Sequence, residues 1–319
     1  MTQIAYDAVR GRPRRGCFQA VTRGIHRRKL GVAESERGWL ADLSGWQLLL
    51  PNHGCFTAVT AARLRGWELP PIPAGTPVFV AMLLDDPRPV RAGIRTSRHP
   101  QPIAQEEVRG LRCAVPAETI LACARWLSLI DLVALIDSAL QAGDVTVETL
   151  TAVCAPHRRG RRALLTALGW ADGRAESTWE SLLRMLHVVI EVEVEPQVEI
   201  MDVEREFVAR ADLRVSGTKS LHEFDGGHHR DARQHRDDLR RERRLDAEGY
   251  VRRGYTASDV VNRPLGVLRD ADRAVGRVHD HARIRPWLAL LRASLYTPSG
   301  QAAFLARVTA CPPSGGERR

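Results

Sequence analysis

The chain lacks any closely spaced pair of cysteines. Cys17, Cys55, Cys113, Cys123, Cys154 and Cys311 are scattered, so neither a zinc knuckle nor a vicinal redox motif is available, and the thiols are expected to be reduced and mostly buried. It also lacks an apolar run of the roughly twenty residues needed to span a bilayer. Met1 to Arg15 carries no apolar core of the signal-peptide kind. These absences argue against a secreted disulfide scaffold and a membrane span, and a cytoplasmic location is expected. No internal repeat is apparent, which removes solenoid architectures. What is present is 44% hydrophobic residues over 319 positions, enough for about two domains with a real core. The net charge of +9 and pI near 9.8 come mostly from arginine. Guanidinium groups suit polyanions, so nucleic acid is the leading partner class and an anionic membrane surface trails it.

Along the chain, "FQAVTRGIHRRKLG" offers a short apolar core ending in Arg27, Arg28 and Lys29, and fits either a clipped DNA-binding helix pair or a basic arm. From Thr57 a short helix is expected, stopping at Gly66. "PVFVAML", "AGIRTSR" and "GLRCAVP" predict strands of a small sheet. Between Ala117 and Leu168 apolar residues recur at three- and four-residue spacing, which predicts two or three packed helices. The turn-forming "GWADGRAES" then suggests a boundary. Beyond it the order is α-β-β-β-α-β-α. A helix from Ser177 to Ile190 precedes the strands "PQVEIMDV", "EFVARADLRV" and "SLHEFDG", then a charged helix stopped by Gly249, a strand "YVRRGY" and a further helix. The expected class is α/β with an α+β N-terminal half, divided into residues 1–170, 171–275 and a helical extension and tail over 276–319.

The chemistry gathers on two of those strands. Alternation puts Glu223 and Asp225 on one face and His222 and Phe224 on the other. Antiparallel pairing across the Gly217 turn brings Asp212 close to Glu223. Clustered carboxylates repel unless a cation sits between them, and hard oxygen ligands suit Mg²⁺ or Mn²⁺. An exposed strand edge with solvated charges is the plainer alternative. The run from Arg230 to Arg244 reads either as a solvated helix held by pairs such as Asp237 with Arg241, or as a phosphate-binding face using Arg233, Gln234, Arg240, Arg241 and Arg244.

"ESTWESLLR", "FVARADL", "EFDGGHH", the run from Gln234 to Leu245 and "GYVRRGYTASDV" together resemble the PD-(D/E)XK restriction-endonuclease-like nucleases, in particular the group related to very-short-patch-repair endonucleases, over roughly Glu176 to Val261. The resemblance implies a restriction-endonuclease-like core in which Asp212 and Glu223 hold the metal. Asp225 stands where many members carry lysine, and is expected to act on the attacking water through the metal or as a general base. It further implies His229 as a proton shuttle or phosphate contact, and Glu180 as a further metal or water ligand. Ser177 to Glu180 also reads as a helix capping box. "FTAVTAARLRGWELP" and "VPAETILACARWLSLIDLVALIDSAL" resemble the N-terminal half of AbiEi-type antitoxins. A Mg²⁺- or Mn²⁺-dependent endodeoxyribonuclease of repair, restriction or defence is the expectation, with DNA as partner. A non-catalytic DNA-binding regulator that keeps the nuclease fold is the rival, and an RNA-directed nuclease a third. A homodimer and a partner protein of a toxin-antitoxin or repair system remain open.

Overall fold

A computed structural model describes residues 8–310, apart from 12, 14–15, 30–35, 88, 90 and 227–231, and without the side chains of 232–239. It is a mixed α/β structure with three sheets. Strands β1 (Ala8–Arg10), β2 (Phe18–Thr22) and β3 (Ile25–Arg28) form an antiparallel sheet in the order β1-β3-β2. The stretch read as a helix pair or a basic arm is therefore a hairpin. Its core is too short for a helix to bury, whereas two strands joined at Gly24, which takes a left-handed φ of 74°, can set Ile25 against the following helix.

Helix α1 (Glu36–Gln47) packs on this hairpin and places Leu40, Leu43 and Trp46 in a small core. β4 (Cys55–Phe56), α2 (Ala58–Arg65), β5 (Val78–Leu83), β6 (Ile94–His99), β7 (Gln105–Val108) and β8 (Leu111–Ala114) complete the N-terminal half. Its five-stranded sheet runs β6-β5-β4-β8-β7. Helix α2 ends where expected, because Gly66 adopts a left-handed φ of 81° and its N–H returns to the carbonyls of Ala62 and Arg63.

Four helices follow: α3 (Pro116–Cys123), α4 (Leu129–Gln141), α5 (Val147–Ala152) and α6 (Arg161–Leu168). The remainder is α7 (Thr178–Val189), β9 (Val194–Met201), β10 (Phe207–Val215), β11 (Ser220–Phe224), α8 (Ala232–Ala247), β12 (Val251–Tyr255), α9 (Ala257–Val261), α10 (Leu265–Ala274), a 3-10 turn at His281–Ile284, α11 (Arg285–Ala293) and α12 (Pro298–Thr309). The α-β-β-β-α-β-α order read from the sequence is present. β9, β10 and β11 form an antiparallel meander, and α8 crosses over so that β12 pairs parallel to β11, giving the order β12-β11-β10-β9.

The turn at 169–177 marks a change of element type without a gap in packing. One continuous core joins Leu132, Leu135 and Ile136 of α4 to Leu182, Leu186, Trp287, Leu291 and Phe304. Polar contacts, some buried and some half-buried, cross the same line. The Asp137 carboxylate accepts from Asp172 N–H at 2.6 Å and from Arg184 Nη2 at 2.9 Å. Asp131 accepts from Ser294 Oγ at 2.5 Å and Leu295 N–H at 3.0 Å. Thr178 N–H donates to Glu68 Oε2 at 2.6 Å.

Candidate functional site

The β10–β11 hairpin sets the geometry. Its register pairs Leu213 with His222 and Arg214 with Leu221, and the next step along the ladder puts Asp212 opposite Glu223. Phe224 N–H donates to Asp212 Oδ2 at 2.8 Å, which fixes that carboxylate at the end of the hairpin. Burial raises the Asp212 pKa most; the Phe224 bond and Arg241 oppose it, the charges of Glu180 and Glu223 add to it, and the carboxyl is pushed up to about 7. Asp212, Glu180 and Glu223 thus share one crowded electrostatic environment.

Alternation along β11 is visible in the partners. Glu223 and Asp225 both meet Arg252, while His222 and Phe224 meet His187 and Trp179 of α7. Glu223 is 4% exposed and has both oxygens occupied: Arg241 Nη2 donates to Oε1 at 2.6 Å and Arg252 Nε to Oε2 at 2.5 Å. Arg252 Nη2 also donates to Asp225 Oδ1 at 2.9 Å. Burial works against the Arg252 charge, but Glu223 and then Asp225 hold it above the usual arginine range. Nothing in the sequence pattern pointed to Arg252, because its position depends on the parallel register Leu221↔Arg252 and Glu223↔Gly254 set by the α8 crossover. Gly254 matters there. A Cβ on it would lie 1.8 Å from Asp225 Oδ2, so the strand needs a glycine for the carboxylate to rest on it.

Of the two roles anticipated for Glu180, helix capping is the one its contacts display. Ser177 Oγ accepts from Glu180 N–H at 3.2 Å and donates to Oε1 at 2.8 Å, which is helix capping. The return bond differs from a strict capping box, since Oε2 accepts from Glu176 N–H rather than from Ser177. Oε2 also accepts from Gln197 Nε2 at 2.8 Å. Gln197, which sequence reasoning missed, holds a left-handed φ of 54° inside β9. Such a conformation is costly for a side-chain-bearing residue, and here it accompanies a bond to a site carboxylate.

Behind the carboxylates, His187 and His222 are fully buried with Nε2 and Nδ1 2.8 Å apart. His187 Nδ1 donates to the Leu183 carbonyl, which can only accept, so Nε2 is the acceptor and His222 donates to it. Burial pushes His187 down to about 4; burial, then His187 and Arg253, push His222 down to about 2, and both rings are neutral.

The anticipated nucleic-acid contacts are only partly within view. Arg241 serves Glu223 and the Arg210 carbonyl, and Arg244 donates to Asp202 Oδ2 and the Phe207 carbonyl, each at 3.0 Å. Arg240 is exposed on α8. His229 and the side chains of Arg233 and Gln234 lie outside the described residues, as does Asp237 with its expected partnership to Arg241. Among the described residues, no group of three or more His, Cys, Asp and Glu side chains gathers as a cation cage. Nor is any helix among them long and apolar enough to cross a membrane. Cys55, Cys113, Cys123 and Cys154 are buried free thiols, and Cys17 is exposed.

No family model, curated protein or solved structure matches the chain.

Proposed function

We propose that the protein is a divalent-metal-dependent DNA endonuclease with a restriction-endonuclease-like core, its site built on Asp212, Glu223 and Glu180. The observation that carries this reading is Asp212. A half-buried carboxylate crowded by two others and driven to about 7 is a group that a cation would stabilise in its ionised form. The donor set fits a hard cation in chemistry, all of it carboxylate oxygen, with Asp212 and Glu180 as ligands and Glu223 joining when Arg241 or Arg252 yields. When bound, Mg²⁺ or Mn²⁺ would supply Lewis acidity toward a phosphate oxygen and a more acidic water.

The chain's own residues account for the rest. Asp212 is held at the end of the hairpin by Phe224 N–H at Oδ2, so its position is set before any cation binds. Arg252 bridges Glu223 and Asp225 and supplies positive charge next to the position where the resembling nucleases carry lysine. It can orient a phosphate oxygen and offset developing charge, but a guanidinium does not act as a base. Gln197 and Ser177 fix the Glu180 carboxylate.

A specific observation favours the second reading, a non-catalytic DNA-binding regulator. Both Glu223 oxygens are already neutralised by arginines, as they would be in a scaffold that has given up its metal. Incubation of the full chain with supercoiled plasmid and Mg²⁺ or Mn²⁺ separates the two. Nicking by the parent, reduced at least a hundredfold in Asp212→Asn and Glu223→Gln, supports the enzyme. Retardation of DNA without cleavage in either metal supports the regulator.

A further inference from the structure

Away from the carboxylates, a cavity of about 680 Å³ opens between the edge strand β6, helix α3 and the α5–α6 connection. Small-molecule sites span roughly 300–1,000 Å³. Its lining is unusually cationic: Arg95, Arg98, Arg125, Arg158 and Arg159 face a single acid, Glu118. That acid is taken by Arg158, whose Nη1 and Nη2 donate to its two oxygens at 2.8 and 2.6 Å. Among the described residues no other carboxylate lines the cavity: Arg95 donates to the Ala310 carbonyl, and Arg98 donates to the Leu83 and Asp86 carbonyls at 3.2 Å with the Asp86 side chain close by. Arg125 donates to Ser97 Oγ at 2.8 Å; burial, then the charges of Arg159 and Arg95, hold it below the usual arginine range. Burial, then Arg125, also depresses His99, which bonds Ser97 Oγ at 2.9 Å. Among the described residues Arg159 makes no side-chain hydrogen bond or ion pair. Like charges gathered over a partly buried pocket repel, and an anion relieves them.

The rest of the wall is apolar and partly aromatic. Phe79 and Trp126 meet edge to face with centroids 5.6 Å apart, and Leu84, Ile103 and Leu121 extend the surface. The Arg95 and Arg125 guanidinium groups lie 5.1 and 5.6 Å from the Trp126 ring centroid. Flat guanidinium and aromatic surfaces stack nucleobases, whereas a polyol phosphate would leave them uncovered. Thr57 also lines the cavity, and among the described residues its buried hydroxyl has no hydrogen-bond partner.

We propose that this cavity is a nucleotide site, with the phosphate on Arg95, Arg125 and Arg159 and the base against the Phe79–Trp126 wall. The ligand is a 5′-nucleotide, either free or as the phosphorylated end of a strand. The proposal does not depend on the carboxylate site.

Calorimetric titration of the full chain with AMP, GMP, adenosine, inorganic phosphate, and a short oligonucleotide with and without a 5′-phosphate tests it. A nucleotide or the phosphorylated oligonucleotide should bind at least tenfold more tightly than adenosine or inorganic phosphate. Arg125→Gln should weaken this at least tenfold and Arg159→Ala at least threefold. Binding of AMP or GMP identifies a free nucleotide; binding of the phosphorylated oligonucleotide alone identifies a strand end. Arg159 is exposed at the rim, so its variant carries the test if Arg125→Gln does not fold. Absence of binding by every phosphorylated probe, equal affinity for inorganic phosphate, or affinity unchanged in Arg159→Ala would overturn the proposal.

Discussion

At the scale of single residues, Asp212 makes the sharpest claim. Its pKa is raised from 3.8 to about 7, so the folded state holds the proton more tightly than the unfolded chain does. The associated stabilisation is present in full below about pH 4 and is lost as the pH rises toward 7. Asp212→Asn keeps an oxygen for Phe224 N–H but never has to ionise. Relative to the parent it should gain roughly 1–3 kcal/mol between pH 4 and pH 8, measured by urea unfolding at both values. A difference that stays constant or falls with pH would contradict the assigned environment. Gly254→Ala probes the neighbouring carboxylate. Its Cβ would meet Asp225 Oδ2 at 1.8 Å, turning Asp225 away from Arg252. Nicking should fall at least tenfold while stability changes by no more than about 1 kcal/mol. Much of this site could be read from residue order, because the two-residue period of "LHEFD" and the Gly217 turn are local and fix Asp212 against Glu223. Arg252 and Gln197 could not be read. One depends on a parallel register set by a helix in between, the other on a left-handed residue inside a strand that no residue-type preference announces.

At the scale of elements, two helices had an end that was legible from a capping residue, whereas the capping box at Thr146 was passed over because its helix is too short to show a stripe. Thr57, Gly66 and Ser177 fall where their residue types place them, although Thr57 marks its helix start without a side-chain capping bond. Elements without a periodic apolar stripe were not legible. β7 is "QEEV", an edge strand whose acids face solvent, and α5 and α6 are short helices separated by Pro156 and Gly160, so that four helices stand where two or three were expected. The first three strands bury only Ile25 and Arg27 among their side chains, too little for a pattern to emerge. Close approach of elements gives a further expectation. A Cβ at Gly300 in α12 would lie 1.9 Å from the Ser294 carbonyl oxygen, a backbone atom, and the same serine bonds the buried Asp131. Gly300→Ala should therefore cost about 2 kcal/mol or more through backbone displacement, read from chemical denaturation. A loss under about 0.5 kcal/mol would show that α12 is packed less tightly there.

At the scale of the whole molecule, the continuous core and the buried Asp137–Arg184 and Asp131–Ser294 contacts tie the helical middle of the chain to the sheet bearing the carboxylates. Residues 171–319 expressed alone should expose the α7 and α11 faces that α4 covers, bind a hydrophobic dye and melt without a cooperative transition; a cooperatively folded fragment would show that the contacts are dispensable. The most direct measurement of the central claim is Mn²⁺ binding by the full chain at pH 8, followed by electron paramagnetic resonance. Binding should be saturable, lost in Asp212→Asn and strengthened in Arg252→Gln, where Glu223 is freed from one guanidinium. Absence of binding at millimolar Mn²⁺, or binding untouched by Asp212→Asn, would contradict the claim.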